Sequence, residues 1–244
     1  MRIVFSRKGF DSASGGTASP IVSGVPISLP IPTLKRSITT YEQAGLGELV
    51  ARITRGRRRG QDLCHEDPMF YEGRCAFGQT GAAQSHLANN GVGVGDVFLF
   101  FGLFADEDGA NRHHRIFGFL QVEEVRSLGR APGLRDGPAG FPRRHPHTVG
   151  DWNENNTLYL GRGLTARFAH PNLRLTRPGG PVSLWAVPTW MQITRLSYHR
   201  KPERWIGDSE LRVVGRGQEF VADISDLAEP RSWLNSITDA IIAN

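Results

Sequence analysis

The chain has 244 residues, of which 39% are hydrophobic, and this composition supports a buried core and argues against wholesale disorder. Its net charge is +5, and 26 of its 29 basic residues are arginine, whose planar guanidinium suits phosphates and carboxylates. A polyanionic partner is therefore a candidate. The length favours one compact body over residues 1–244, with insertions, rather than two full domains.

Several classes of protein are excluded by simple patterns. Apolar runs stay shorter than the roughly 18 residues of a membrane helix, and the start turns polar after Phe5, unlike a secretory signal. Two cysteines are too few for a disulfide scaffold. We therefore expect a cytoplasmic protein with reduced thiols and no membrane partner. The 29 glycines and 15 prolines favour short strands and long loops over a helical bundle.

The first 90 residues mix extended segments with two short helices. Residues 1–5 predict a buried strand, followed by a glycine-containing loop. Prolines at 26, 30 and 32 exclude a helix interior, so residues 21–33 are predicted to be extended. An apolar face predicts an amphipathic helix over residues 40–53, and residues 81–90, which end in Asn-Gly, predict a second helix.

The middle of the chain carries the clearest strand pattern. Residues 97–104 and 116–125 are rich in β-branched and aromatic side chains, and a polar segment separates them. They predict two adjacent antiparallel strands. Shorter strands are predicted at 158–160, 173–175, 182–187 and 211–214, and a terminal helix at 231–243. Many short strands with few helices predict an α+β fold.

The predicted hairpin has the features of a known fold. Residues 91–104 (GVGVGDVFLFFGLF) and 114–125 (HRIFGFLQVEEV) resemble the central hairpin of PUA-like barrels, including the ASCH and EVE groups. The shared features are a Gly-Asp turn, a glycine within the second strand and a Val-x-x-Val ending. The resemblance implies a PUA-like β-barrel core over residues 92–190, wrapped by extensions over 1–90 and 191–244 with a few short helices. Such barrels typically bind RNA, or bases that are modified or flipped.

A second resemblance spans nearly the whole chain. Its motifs are SRKGFDS at 6–12 with a Gly-Gly loop, GAAQSHL at 81–87, GDVFLFFG at 95–102, NNTLYLG at 155–161, SYHRKPERW at 197–205 and RGQEF at 216–220. These are similar to the nucleotide modification associated domain 3 family, which is named for its proximity to DNA-modification systems of bacteria and phages. The resemblance implies nucleic acid or a nucleotide as partner, with DNA-modification enzymes as further candidates. It assigns no reaction and leaves any cofactor unknown.

The most concentrated polar motif follows the first predicted strand. Cations and exposed amides on a glycine-flanked loop could hold a phosphate. The ligand-binding candidates of this loop are Ser6, Arg7, Gly15 and Gly16. Lys8 and Asp11 are catalytic candidates, because a carboxylate could act as a base. The alternative is a solvated loop in which Asp11 pairs with Arg7 or Lys8.

A second candidate site surrounds residues 64–67 (CHED). Zinc on Cys64, His65 and Cys75 would lack a fourth ligand, and the spacing matches no standard knuckle, so we assign no metal site. His65 and Asp67 are instead predicted to be catalytic acid–base groups, and a turn at Asp67-Pro68 is the alternative. Four further histidines lie in polar loops and are expected at the surface, namely His113, His114, His145 and His147.

Two cationic segments could bind nucleic acid. In residues 197–205, aromatic rings could stack on a base while arginines take phosphates, and local aromatic packing is the alternative. The candidates there are Tyr198, His199, Arg200 and Trp205. The run RGRRRG at 55–60 could bind a phosphate backbone through Arg57, Arg58 and Arg59. The alternative is a solvated loop. Residues 215–220 place an amide, Gln218, and a carboxylate, Glu219, after a predicted strand. Glutamine and arginine side chains there could read base edges, and a β-turn with charged residues is the alternative.

These patterns leave three functional hypotheses. The favoured one is a module that binds a nucleotide or a modified, flipped base in a polar and aromatic cleft within a base-modification system. The second is an enzyme acting on a nucleobase or nucleotide, and the third is a structural partner of a modification enzyme. The enzyme hypothesis predicts that Lys8, Asp11 and a histidine line one pocket. The binding hypothesis predicts aromatic and arginine side chains there, without a titratable pair.

Overall fold

A computed structural model describes residues 1–215, 219–225 and 227–243. The strands are β1 Arg2–Arg7, β2 Ser19–Val22, β3 Val25–Pro26, β4 Ile31–Pro32, β5 Cys64–His65, β6 Met69–Tyr71, β7 Arg74–Gln79, β8 Val97–Asp106, β9 His113–Ser127, β10 Thr157–Thr165, β11 Leu184–Ala186, β12 Trp205–Ile206, β13 Glu210–Arg212 and β14 Glu219–Asp223. The α-helices are α1 Gly47–Ile53, α2 Gly81–Asn89, α3 Trp190–Ile193 and α4 Ala228–Ile242. Single 3-10 turns lie at Leu134–Asp136, Pro146–Thr148, Pro171–Leu173 and Pro202–Arg204. None of the helices in the described ranges combines the length and apolar character needed to cross a bilayer.

One large mixed sheet organises the described part of the chain, and the predicted α+β class is confirmed. Its strand order is β14-β1-β8-β9-β10-β7-β6, and in addition β2 pairs with β8 and β3 pairs with β2. The β1–β8 and β2–β8 pairs are parallel, and the other pairs are antiparallel. Strands from the predicted N-terminal wrap, barrel core and C-terminal extension all join this sheet.

The sheet curls without closing. Gln79 at the end of β7 donates from Nε2 to the Glu219 carboxylate on β14, over 2.6 Å, so the two sides of the sheet meet through side chains. Within the described ranges, no backbone pairing joins β14 to β6 or β7. The predicted PUA-like barrel is therefore not confirmed, because the closing ladder that defines a barrel is missing there.

The predicted central hairpin is confirmed. β8 and β9 pair antiparallel from Val97 opposite Gln121 to Phe104 opposite His113, with an irregularity after Phe100. Every residue of β8 except Asp106 is buried, because both faces of the sheet are covered. Leu99 and Phe101 pack with Trp185 and helix α4 on one face. On the other face, Phe98 and Phe100 of β8 belong to a second cluster, which also contains Phe77 of β7 and Leu87 of α2.

Two predicted elements are corrected. The predicted helix over 40–53 begins only at Gly47, because Gly45 adopts a φ of +74° and ends the preceding turn. The predicted strand at 173–175 is wrong, since Pro171 opens a 3-10 turn that extends to Leu173. The predicted helices near 81–90 and 231–243 are confirmed as α2 and α4.

Candidate functional site

A cavity of about 560 Å³ lies where distant segments of the chain meet, a volume typical of small-molecule sites. It is lined by residues that include Arg7, Lys8, Asp11, Ser14, Arg36, His65, Asp67, Gln79, His147 and Trp152. The four catalytic candidates from the sequence therefore share one cavity, together with Arg7. This is the convergence of Lys8, Asp11 and a histidine that the enzyme hypothesis required. Arg36, Gln79, His147 and Trp152 were not predicted to belong to the site.

Lys8 lies at the end of β1 and is largely withdrawn from solvent. Its Nζ is 3.2 Å from Glu219 Oε1 and 4.3 Å from the centre of the Phe77 ring. The Lys8 side chain is 11% exposed and that of Glu219 is 1% exposed. Glu219 Oε1 also accepts from Gln79, whereas Oε2 has no hydrogen-bond partner among the described residues. Lys8 is thus part of a buried ion pair that joins β1, β7 and β14.

Asp11 orders the glycine loop that follows β1. Its Oδ1 accepts hydrogen bonds from the backbone N–H groups of Ala13 and Ser14, at 2.8 and 2.6 Å. Gly15, at a φ of +92°, leaves room for the Phe10 ring, which a Cβ atom would meet at 2.4 Å. The alternative in which Asp11 pairs with Lys8 does not hold, because Lys8 pairs with Glu219.

Arg7 holds a position beside this loop. Its guanidinium donates to the backbone carbonyls of Val214 and Gly215, at 3.2 and 3.1 Å. Burial lowers the pKa of Arg7, and attraction to Asp11 raises it in part. The guanidinium is therefore anchored by carbonyl oxygens, which bear no formal charge, and it brings a positive charge to the cavity wall.

Asp67 forms the centre of the end of the cavity that the histidines line. Its Oδ1 accepts from the Gly78 N–H at 2.9 Å and lies 3.4 Å from His145 Nε2. Its Oδ2 lies 3.7 Å from His65 Nε2 and 3.6 Å from His147 Nε2. Burial alone would raise the pKa of Asp67, but the contacts with His145 and His65 outweigh it and hold that pKa well below the usual range.

Hydrogen bonds fix the orientation of the His147 ring. The Asn156 side chain donates from Nδ2 to the His147 carbonyl, so its Oδ1 faces His147 Nδ1, at 2.6 Å. Nδ1 therefore carries the proton, and Nε2 turns towards Asp67. Burial lowers the pKa of His147 to about 3. Trp152 stacks on the ring at 4.1 Å, and Gly78 allows the close approach, since a Cβ there would lie 2.3 Å from the imidazole.

The expectation of surface histidines is wrong. His113, His114, His145 and His147 are 1%, 8%, 0% and 3% exposed. Pro146 starts a 3-10 turn that directs His145 and His147 inward, to Asp67. His114 accepts a hydrogen bond at Nδ1 from the Trp185 indole within the core. His114, His145 and His147 have polar partners distant in sequence, Trp185 and Asp67, which the local sequence does not show.

His65, Asp67 and His147 form the one set of possible metal ligands found in the described part of the chain. One ligand atom from each lies within 4.8 Å of the others. The two cysteines do not belong to this set, and both are buried free thiols. Burial raises the pKa of Cys64 to about 12 and that of Cys75 well above its usual range, so both remain protonated.

The candidates in the segment 197–205 do not line this cavity. Tyr198 is 48% exposed and packs on His86, with ring centres 4.5 Å apart. The fully buried His199 accepts the Val214 N–H at Nε2, while Nδ1 faces the Ser197 carbonyl at 2.9 Å. Trp205 donates from its indole to the His199 carbonyl, and Arg200 is exposed.

The remaining described candidates, like those of 197–205, do not line this cavity. Ser6 is fully buried within β1, and its hydroxyl has no hydrogen-bond partner among the described residues. Arg57 donates to the Gly16 carbonyl, at 3.4 Å, and so joins the basic run to the glycine loop. Arg59 is exposed and Arg58 half-buried. Gln218 lies outside the described residues.

Acid should destabilise the fold through His199. Burial lowers the pKa of His199 from 6.5 to about 4 in the folded chain. The unfolded chain then binds more protons between these values, so stability is full above pH 6.5 and falls as the pH drops towards 4. We expect a loss of about 2 kcal/mol at pH 5 from this residue. Urea unfolding of wild-type and His199→Gln chains at pH 5 and 7.5 measures it, and a pH dependence unchanged by the substitution would contradict it.

Comparison with known proteins places this site in a family. The model of nucleotide modification associated domain 3 matches residues 2–223, which include all the cavity-lining residues named above. Searches of curated proteins and of solved structures found no significant match. Because the match covers most of its length, the chain belongs to the nucleotide modification associated domain 3 family.

Proposed function

We propose that the protein is an enzyme that modifies a nucleotide or nucleobase, with the 560 Å³ cavity as its active site. The observation that carries the proposal is the meeting of three cations with a buried carboxylate and its imidazoles in one cavity. The cations are Arg7, Lys8 and Arg36, and the carboxylate is Asp67. The family name supports a role in nucleotide modification.

The cationic side would hold the anionic part of the substrate. Arg7 is anchored by carbonyl oxygens, and Arg36 is exposed, with its guanidinium 4.4 Å from the centre of the Trp152 ring. Guanidinium groups bind phosphate oxygens through two parallel hydrogen bonds. Lys8, already paired with Glu219, contributes less net charge. A phosphate would therefore bind nearer to Arg7 and Arg36.

The reactive side would be Asp67 with His65 and His147. A buried carboxylate in contact with imidazoles is suited to moving protons or to holding a cation at a reacting atom. The half-buried His65 and the more deeply buried Asp67 both line the cavity, so a substrate can reach this group. Asp11 is held by its own loop and would position the phosphate end.

A purely binding role receives less support. Trp152, the aromatic ring in the cavity wall, is 7% exposed and stacked on His147, so it does not offer a free face to a base. Tyr198 and Trp205 lie outside the cavity lining. Base-binding modules depend on such stacking surfaces.

The proposal is tested with small molecules released from the purified protein. We expect mass spectrometry to detect a nucleotide or nucleoside with the wild-type chain and at least about tenfold less with Arg36→Ala, because a charge-assisted contact is lost. Arg135→Ala removes an exposed arginine elsewhere and serves as the matched control. Incubation with candidate nucleotides then identifies a product. Retention of the same ligand by Arg36→Ala, or no product from any nucleotide, would count against the proposal.

Nucleic acid should contact the basic run if the substrate is part of a polymer. Replacing Arg57, Arg58 and Arg59 by alanine is expected to weaken binding to all sequences equally and to reduce the salt slope by about one per lost phosphate contact. A triple control at Arg135, Arg195 and Arg212, all exposed, removes the same charge. Fluorescence anisotropy at several salt concentrations measures the affinity and its salt slope for each triple variant. Equal losses in the two triple variants would show that only net charge matters.

A further inference from the structure

We propose that Asp67 Oδ2, His65 Nε2 and His147 Nε2 bind one divalent transition-metal ion. The inference deepens the proposed function, because it names what the reactive end of the cavity holds. The oxygen lies 3.7 and 3.6 Å from the two nitrogens, and one possible ligand atom from each of the three residues lies within 4.8 Å of the others. With bonds of about 2.1 Å, one ion can bind two atoms up to about 4.2 Å apart, so the two oxygen–nitrogen distances fit a shared ion.

The protonation pattern favours a cation at this point. Because Nδ1 of His147 donates to Asn156, Nε2 of the neutral ring presents a lone pair towards Asp67. An acceptor nitrogen and a carboxylate oxygen 3.6 Å apart repel each other unless a positive charge lies between them. A metal ion supplies that charge while leaving the ring neutral, as metal-bound histidines are.

The groups behind the three ligands resemble the support that metal sites require. Asp67 uses Oδ1 for the Gly78 N–H, which keeps Oδ2 directed at the histidines. His145 accepts the His147 N–H at Nδ1, so its Nε2 carries a proton 3.4 Å from Asp67 Oδ1 without a normal hydrogen bond. Such outer contacts orient ligands and tune their affinity.

The donor set indicates the class of ion. Two imidazoles and one carboxylate suit zinc, iron, manganese or cobalt, whereas magnesium and calcium prefer oxygen ligands. Three protein ligands leave coordination positions for water or substrate, and these positions would face the cavity that His65, Asp67 and His147 line. This is the arrangement of a catalytic rather than a structural site.

The experiment measures metal binding without any substrate. Chelator-treated protein is titrated with Co²⁺ and Zn²⁺ by calorimetry, and the visible spectrum of bound Co²⁺ is recorded. We expect one ion per chain, with affinity at least about 100-fold lower in His147→Gln and Asp67→Asn. Gly78→Ala should displace the His147 ring and reduce affinity by about 10–100-fold. His170→Gln, a half-buried histidine outside the cavity lining, is the control.

The outcomes separate this inference from the proposed function. Circular dichroism first confirms that each variant is folded. No binding by the wild-type chain, or equal binding by a folded Asp67→Asn chain, would overturn the metal site and leave an acid–base cluster as the interpretation. One ion bound in a protein that converts no nucleotide would support the metal site and count only against the proposed function.

Discussion

Replacing Lys8 by alanine is expected to lower the free energy of unfolding by about 3–5 kcal/mol, because it leaves the Glu219 carboxylate buried without its counter-charge. Total stabilities of domains are about 5–15 kcal/mol, so the loss would be large. Replacing a lysine on an exposed loop usually lowers the free energy of unfolding by less than about 0.5 kcal/mol. The Lys8 side chain, however, is only 11% exposed. Urea unfolding at pH 7.5 measures the difference.

A paired substitution separates charge from packing. Lys8→Met combined with Glu219→Gln removes both charges and keeps similar volumes, and the amide oxygen can still accept from Gln79. We expect this double variant to regain most of the lost stability. A double variant as unstable as Lys8→Ala would show that the ion pair is not the cause. If the double variant folds, its affinity for the nucleotide shows whether Lys8 also takes part in substrate binding.

Replacing Asp67 by asparagine is expected to lower the rate of product formation by about 10²–10⁴-fold. The side chain keeps its shape, but it loses the negative charge that His65 and His147 face, whether that charge serves a proton or a cation. Single-turnover measurement by mass spectrometry gives the rate, with the exposed Asp208→Asn as the control. A rate within threefold of wild type would remove Asp67 from the reacting group.

The sheet was predictable where burial leaves a simple pattern. Residues 97–104 could be predicted as a strand because nearly all of them are apolar. They are apolar because hydrophobic core covers both faces of the sheet at this strand. The parallel neighbour β1 could be predicted as a strand but not as the partner of β8, since pairing across some 90 residues leaves no local signal. The predicted barrel is not confirmed, and the sequence could not decide it, because closure depends on how far the sheet curls.

The candidate site was predictable in part. Lys8, Asp11, His65 and Asp67 occur in two short polar motifs, and the structure brings both motifs to one cavity. His147 was misplaced at the surface because its loop is polar, and its partner Asp67 lies 80 residues earlier. Glu219 was predicted to lie at a turn after a strand, yet it belongs to β14 and is buried against Lys8. Tertiary contacts decided each of these cases.

The position of β1 has a consequence for synthesis on the ribosome. β1 is made first, but it lies between β8 and β14, and its register with β14 runs from Arg2 opposite Asp223 to Ser6 opposite Glu219. A growing chain therefore carries an unpaired strand edge until residues 219–223 emerge, and such edges are prone to wrong associations. Lys8 can reach its final place only then. The surroundings of Lys8 would thus be completed only after residues 219–223 are made, so a chain truncated before them would leave Lys8 without Glu219.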